Sequence, residues 1–232
     1  MITRDRNYEK HLPSKNAHKI YIVCEGKGTE PDYFGFFQGL SSNLEIIPIP
    51  PEGGTDPIKL KELAISKFFT RDGKFFIDYR LHDTVWFVID TDDWERTGKI
   101  TSLRFFCESI NSKDASHWKE FSEVKPYSVC NVAQSNPCFE LWLYYHFFAE
   151  RPEKREVEQY VSFKEFVNEA INGGFDFKQD PVRMQDATSN ARKTFASSGD
   201  NLIDLYSTEV YRLAEEILPF VGRDLQRLRN KM

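Results

Sequence analysis

No two cysteines in this chain stand at the C-x-x-C spacing of a metal knuckle or redox pair; Cys24, Cys107, Cys130 and Cys138 are scattered. The histidines are unclustered too: His11, His18, His82, His117 and His146 form no H-x-x-x-H or E-x-x-H pattern. Together these absences argue against a zinc centre. Cys24 and Cys130 sit in apolar runs, where cysteine serves as a small buried hydrophobe. No apolar run reaches the roughly 18 residues of a membrane helix. The N-terminal segment is charged and polar, unlike a secretory leader. A reduced, soluble, cytoplasmic protein without membrane contact is expected. Neither a G-x-S-x-G elbow nor a G-x-x-x-x-G-K-[ST] phosphate loop occurs. Positive charge is not in excess, since the formal net charge is −5. Any contact with nucleic acid must therefore rest on a local basic patch. Two candidates are the residue 1–18 arm with adjoining Lys19 (Arg4, Arg6, Lys10, Lys15, Lys19) and the tail (Arg223, Arg227, Arg229, Lys231). Both read equally as solvated ends.

What is present is apolar and aromatic. Hydrophobic residues make up 40% and aromatic residues 15%, including 20 Phe, enough for a substantial core. At 232 residues the chain suits one core domain with an elaborated helical part. Strands are expected at Lys19–Cys24, Leu44–Ile49, Thr84–Ile89 and Lys125–Val132, separated by helical patterns. Thr29 and Asp32 suggest a capped helix carrying Tyr33, Phe34, Phe36, Phe37 and Leu40. Asp56 before Pro57 marks a second helix start, and a third helix lies within Gly98–Ser112. The loop before Asp56 contains Gly53 and Gly54, which could approach a phosphate but read more simply as a turn. Asn136 and Pro137 look like the cap and first position of another helix. Residues 153–232 read as all helical, with helices near Val161–Ile171, Met184–Phe195 and Thr208–Leu218 and a basic tail helix. The division expected is a basic arm (1–18), an α/β core (19–150) and a helical extension packed on it (151–232).

The chemistry concentrates at two strand endings. Ile20-Tyr21-Ile22-Val23-Cys24 runs into Glu25-Gly26-Lys27-Gly28-Thr29-Glu30, and Val85-Trp86-Phe87-Val88-Ile89 runs into Asp90-Thr91-Asp92-Asp93. Buried parallel strands deliver such residues to the carboxyl edge of a sheet, where α/β proteins build their sites. In an extended strand Asp90 and Asp92 would point to the same side, and two such acids suit a hard cation. Asp93 would then point elsewhere. Glu25 could bind metal or move a proton, and its structural alternative is to favour the following helix start. Gly26 and Gly28 allow the turn, and Glu30 belongs either to the site or to the helix. Glu140 lies in an almost wholly apolar helical pattern, so its carboxylate needs a cation, a donor or a metal. Lys178 is a further candidate.

A strand ending in Glu-Gly followed by a strand ending in Asp-x-Asp resembles the Toprim superfamily, and the chain more specifically resembles the RloB-like family. The segments that carry the likeness are Ile22–Phe34, Val85–Asp93 and Ser135–Leu143, with a weaker one at Ser207–Leu213. The resemblance implies a Toprim-like α/β core with a mostly parallel sheet of about four strands flanked by helices, plus a C-terminal helical extension. It implies a Mg²⁺- or Mn²⁺-dependent nuclease, a hydrolase cutting DNA or RNA phosphodiesters. It implies a role in phage defence by abortive infection with an RloA-type ATPase partner. By position, Glu25, Asp90 and Asp92 become the catalytic and metal-binding acids. Thr91 stands where many relatives carry arginine. A non-catalytic subunit that binds nucleic acid or the partner is the competing reading. The nucleic-acid-binding residues and homo-oligomer formation are left open, and no tyrosine sits in a context that supports strand transfer.

Overall fold

In the computed structural model, which describes residues 10–113, 126–198 and 203–232, the opening apolar run forms β1 (His18–Cys24), buried from Ile20 onward. Three more runs form its parallel companions: β2 (Leu44–Ile49), β3 (Thr84–Asp90) and β4 (Cys130–Asn136). A two-residue β5 (Ser207–Thr208) adds an antiparallel edge, giving the order β2-β1-β3-β4-β5. Parallel pairs need crossovers, and helices α1 (Thr29–Gly35), α2 (Pro57–Phe68) and α3 (Lys99–Lys113) supply them.

The pleat sorts the strands into two faces. Ile20, Ile22, Cys24, Trp86 and Val88 pack into one cluster with Tyr33, Phe34 and Phe37 of the α1 region. Helices α4 (Glu140–Tyr144), α6 (Phe163–Ala170), α7 (Met184–Thr194) and α8 (Val210–Arg229) contribute buried residues to the same cluster; the short α5 (Lys154–Val157) adds a partly buried Val157. Tyr21, Val23, Val85, Phe87 and Ile89 face the other way, against Leu60, Leu63 and Leu103 of α2 and α3. Both faces of β1 and β3 are thus covered, which is why their sequences are unbroken apolar runs. None of the described helices is long and apolar enough to cross a membrane.

Several local expectations shift. Asp56 does cap α2, accepting from Ile58 N–H at 3.0 Å. Thr29 does not cap α1: Gly28 stands at the cap position without a side-chain bond, and the helix ends at Gly35. The fourth strand lies further along than Lys125–Val132, whose first residue is outside the described set. Asn136 is not a helix cap. It ends β4, precedes a cis peptide to Pro137, and its amide donates to Ile203 O at 3.0 Å. The cause is long-range: Ser135 and Asn136 pair with Thr208 and Ser207, and pairing across seventy residues overrides local helix signals. The same pairing makes the C-terminal part not entirely helical.

The C-terminal segment is also bound by buried charge. Glu209, only 3% exposed, meets Arg104 of α3 at 2.6 Å and Arg212 at 3.0 Å. Of the basic patches, Arg4 and Arg6 lie outside the described residues. Lys19 pairs with Asp83 at 3.7 Å, Arg227 with Asp224 at 3.1 Å and Arg229 with Asp186 at 2.8 Å, so these three serve the fold.

At the amino edge of the sheet, Glu216 of α8 accepts from Thr84 Oγ1 (2.5 Å) and Trp86 Nε1 (2.8 Å) and lies 2.9 Å from His18 Nε2. His18 Nδ1 lies 3.0 Å from Leu81 O, and the ring stacks on Phe220. Burial alone would lower the pKa of His18, but the bond to Glu216, the Leu81 carbonyl and the nearby Asp83 charge outweigh it, and the net shift is upward. A raised histidine stabilises the fold fully below its unfolded pKa, and that contribution fades as pH rises through the folded value. The stability advantage of wild type over His18→Gln, measured by urea unfolding, should therefore be larger at pH 6 than at pH 9.

Candidate active site

The carboxyl edge of the sheet opens into a cavity of about 310 Å³. Four carboxylate side chains line it: Glu25 after β1, Glu30 in α1, Asp90 at the end of β3 and Glu140 at the start of α4. Lys27, Gly28, Thr29, Thr55, Phe139 and Lys164 complete much of the wall. The parallel topology explains the convergence, because every strand of this group ends on the same side.

Glu25, Asp90 and Glu30 are held by neutral donors. Glu25 continues the β1–β3 ladder, its N–H bonding Val88 O at 3.1 Å. Its carboxylate accepts from the Asp90 N–H at 2.8 Å and from the Trp94 indole at 2.9 Å. Asp90 in turn accepts from the Phe139 N–H at 2.8 Å, which ties the end of β3 to the loop after β4. Glu30 folds back to accept from the Gly26 N–H at 3.0 Å. That fold-back explains Gly26: a Cβ there would collide with the Glu30 carboxylate, whereas Gly28 has open space around it.

Burial and mutual repulsion push Glu25, Glu30 and Asp90 upward. Glu25 rises to about 7, chiefly by desolvation; its hydrogen bonds oppose the rise, and the Asp92 and Glu30 charges add to it. Desolvation also raises Asp90 well above the ordinary range, with Glu25, Glu30 and Glu140 adding repulsion. Glu30 shifts the same way, again mainly through burial. The Lys164 charge works against this in both Asp90 and Glu30. Its ammonium lies 3.3 Å from Glu140 Oε1.

A tighter group sits within the cavity. A carboxylate oxygen of Asp90, the Cys138 thiol sulfur and a carboxylate oxygen of Glu140 lie within 4.8 Å of one another. Glu140 Oε2 is buried and has no hydrogen-bond partner. A buried oxygen without a donor, beside a second carboxylate, has the chemistry of a cation ligand. Oxygen donors dominate the wall, which fits a hard divalent ion.

The residues expected from sequence are therefore distributed unevenly. Glu25, Glu30, Asp90 and Glu140 come together on the cavity wall. Asp92 does not join them. The strand stops at Asp90, Asp92 takes φ 35°, and its side chain is exposed, although its charge still reaches Glu25. The same-side argument needs an extended backbone, and the chain has already turned. Asp93 is exposed and pairs with Arg96 at 3.4 Å. Lys178 is exposed, its N–H bonded to Asp176, and is not among the cavity residues. Thr91 is buried, donating to Ser135 O and accepting from Gln134 Nε2, both at 2.8 Å. Sequence reasoning did not single out Trp94, Cys138 or Lys164. Trp94 follows Asp90 within one turn and could have been suspected as a donor. Nothing local marks Lys164.

Fold and site together define an α/β protein with an acid-lined cavity at the carboxyl ends of parallel strands. Residues 20–217 match the model of the RloB-like protein family, and the chain belongs to that family. No curated protein and no solved structure matches it significantly.

Acids gathered this way repel one another when no cation is bound. Replacing Asp90 by Asn keeps an acceptor for the Phe139 N–H and removes one charge. Asp90→Asn should therefore raise stability in EDTA by about 1–2 kcal/mol in chemical unfolding.

Proposed function

We propose that this RloB-like protein is a divalent-metal-dependent nuclease that hydrolyses nucleic-acid phosphodiesters in this cavity. The observation that carries the reading is the convergence of Glu25, Glu30, Asp90 and Glu140 on one cavity, where Glu140 Oε2 is buried without a partner. Asp90 and Glu140 would hold Mg²⁺ or Mn²⁺, with Cys138 beside them and Glu30 on the same cavity wall. The ion would polarise a phosphoryl oxygen and stabilise charge on the leaving oxygen.

The protein's own groups do the rest. Burial raises the Glu25 carboxyl above the ordinary carboxylate range, which favours its taking up a proton. Its carboxylate accepts a proton from water as the water oxygen bonds to phosphorus. The P–O bond to the leaving sugar oxygen breaks, and that oxygen is protonated from solvent. The Asp90 amide and the Trp94 indole hold Glu25 in place throughout. Asp92, exposed but electrostatically close to Glu25, is placed to meet water rather than the buried acids. The family resemblance supports a role in phage defence beside an RloA-type ATPase.

The test is cleavage of DNA, RNA and tRNA with Mg²⁺ or Mn²⁺, with and without the partner ATPase. Asp90→Asn and Glu140→Gln should each slow cleavage roughly 100-fold or more. Asp93→Asn should leave it unchanged. Cleavage by Asp90→Asn at the wild-type rate would overturn the assignment.

A further inference from the structure

Lys164 reaches this cavity from outside the sheet. It stands on α6, whose first turn is capped by Ser162 accepting from the Glu165 N–H at 3.2 Å. Phe166 and Val167 anchor the helix in the core, and Phe163 stacks on Tyr206. The backbone under Lys164 is therefore fixed, while its side chain is 63% exposed. Its ammonium pairs with Glu140 Oε1 at 3.3 Å. That contact leaves Glu140 Oε2 buried and unpartnered. The Lys164 charge acts on Glu30 and Asp90 as well as on Glu140, with Lys27 a second lysine on the cavity wall, so four carboxyl groups face two lysines.

We propose that Lys164 is a tethered counter-ion that stands in for the divalent cation in the metal-free protein and is displaced from Glu140 when the cation binds. The inference rests on the reading of this cavity as a divalent-cation site and adds how the site is loaded. Two features make displacement easy: a half-solvated ion pair is weak, and a lysine stem can swing without moving its helix. Competition with Lys164 then sets the free metal concentration at which the site fills. The displaced ammonium stays beside the cavity, placed to meet an incoming phosphodiester.

The experiment is Mn²⁺ titration of the full-length protein, followed by calorimetry and by the free-ion electron paramagnetic resonance signal. Wild type, Lys164→Met, Lys164→Arg and Asp90→Asn are compared, each checked for folding by circular dichroism. Removing one opposing charge next to a divalent ion should tighten binding about tenfold even with water-like screening. Lys164→Met should show that gain, and Lys164→Arg should stay close to wild type. Equal or weaker binding by Lys164→Met, with binding still lost in Asp90→Asn, would overturn the counter-ion role and leave the metal site standing. Binding by none of the proteins, or binding indifferent to Asp90→Asn, would overturn the metal reading and this inference together.

Discussion

Negative charge gathered where water is scarce is the constraint on which this architecture turns. Glu25 and Glu30 are almost fully buried, and Asp90 and Glu140 stand beside them. Bringing such groups together is unfavourable unless something compensates for lost hydration and mutual repulsion. The compensation here is mostly dipolar. The amides of Gly26, Asp90 and Phe139 and the indole of Trp94 each give one hydrogen bond to an acid. Dipoles position carboxylates without neutralising them. The result is a site that keeps its geometry while retaining a demand for positive charge, which the exposed Lys164 meets only in part.

Holding that geometry falls to the rest of the chain. The donors come from three separate places: the turn after β1, the end of β3 with the segment that follows it, and the loop after β4. Their mutual spacing depends on how the strands are clamped. Thr91, next to Asp90, bonds Ser135 and Gln134; Gln134 and Glu209 share the Arg104 guanidinium. Ser135 meets Thr208 across the antiparallel edge at 2.7 Å. A chain of polar contacts thus runs from the end of β3 through β4 to the start of α8. The C-terminal helices are consequently part of the core and of the site: they share a hydrophobic cluster with β1 and β3, and α6 supplies Lys164.

Much of this was legible beforehand, for definite reasons. Strands buried on both faces must be apolar throughout, so β1 and β3 announced themselves, and their acidic ends announced the site. Asp56 before Pro57 marked the α2 start because capping is a local interaction. The readings that shifted were those in which a distant partner decided the outcome. Asn136 and Pro137 have the local signature of a helix start, yet strand pairing with residues near 207 claims Asn136. Asp92 seemed to match Asp90 only while the strand was assumed to continue.

Sequence alone determined the α/β class, the parallel delivery of Glu25 and Asp90 to one edge and the family likeness, since these follow from local hydrophobic patterning and short motifs. Tertiary structure alone decided which acids meet. Glu140 joins Asp90 because the Phe139 amide bonds the Asp90 carboxylate, and Asp92 stands exposed beside the cavity because the backbone turns after Asp90. It also decided that Lys164 faces them from a helix far along the chain. Charge acts through space, and its neighbours are chosen by the packing of the core rather than by distance along the sequence.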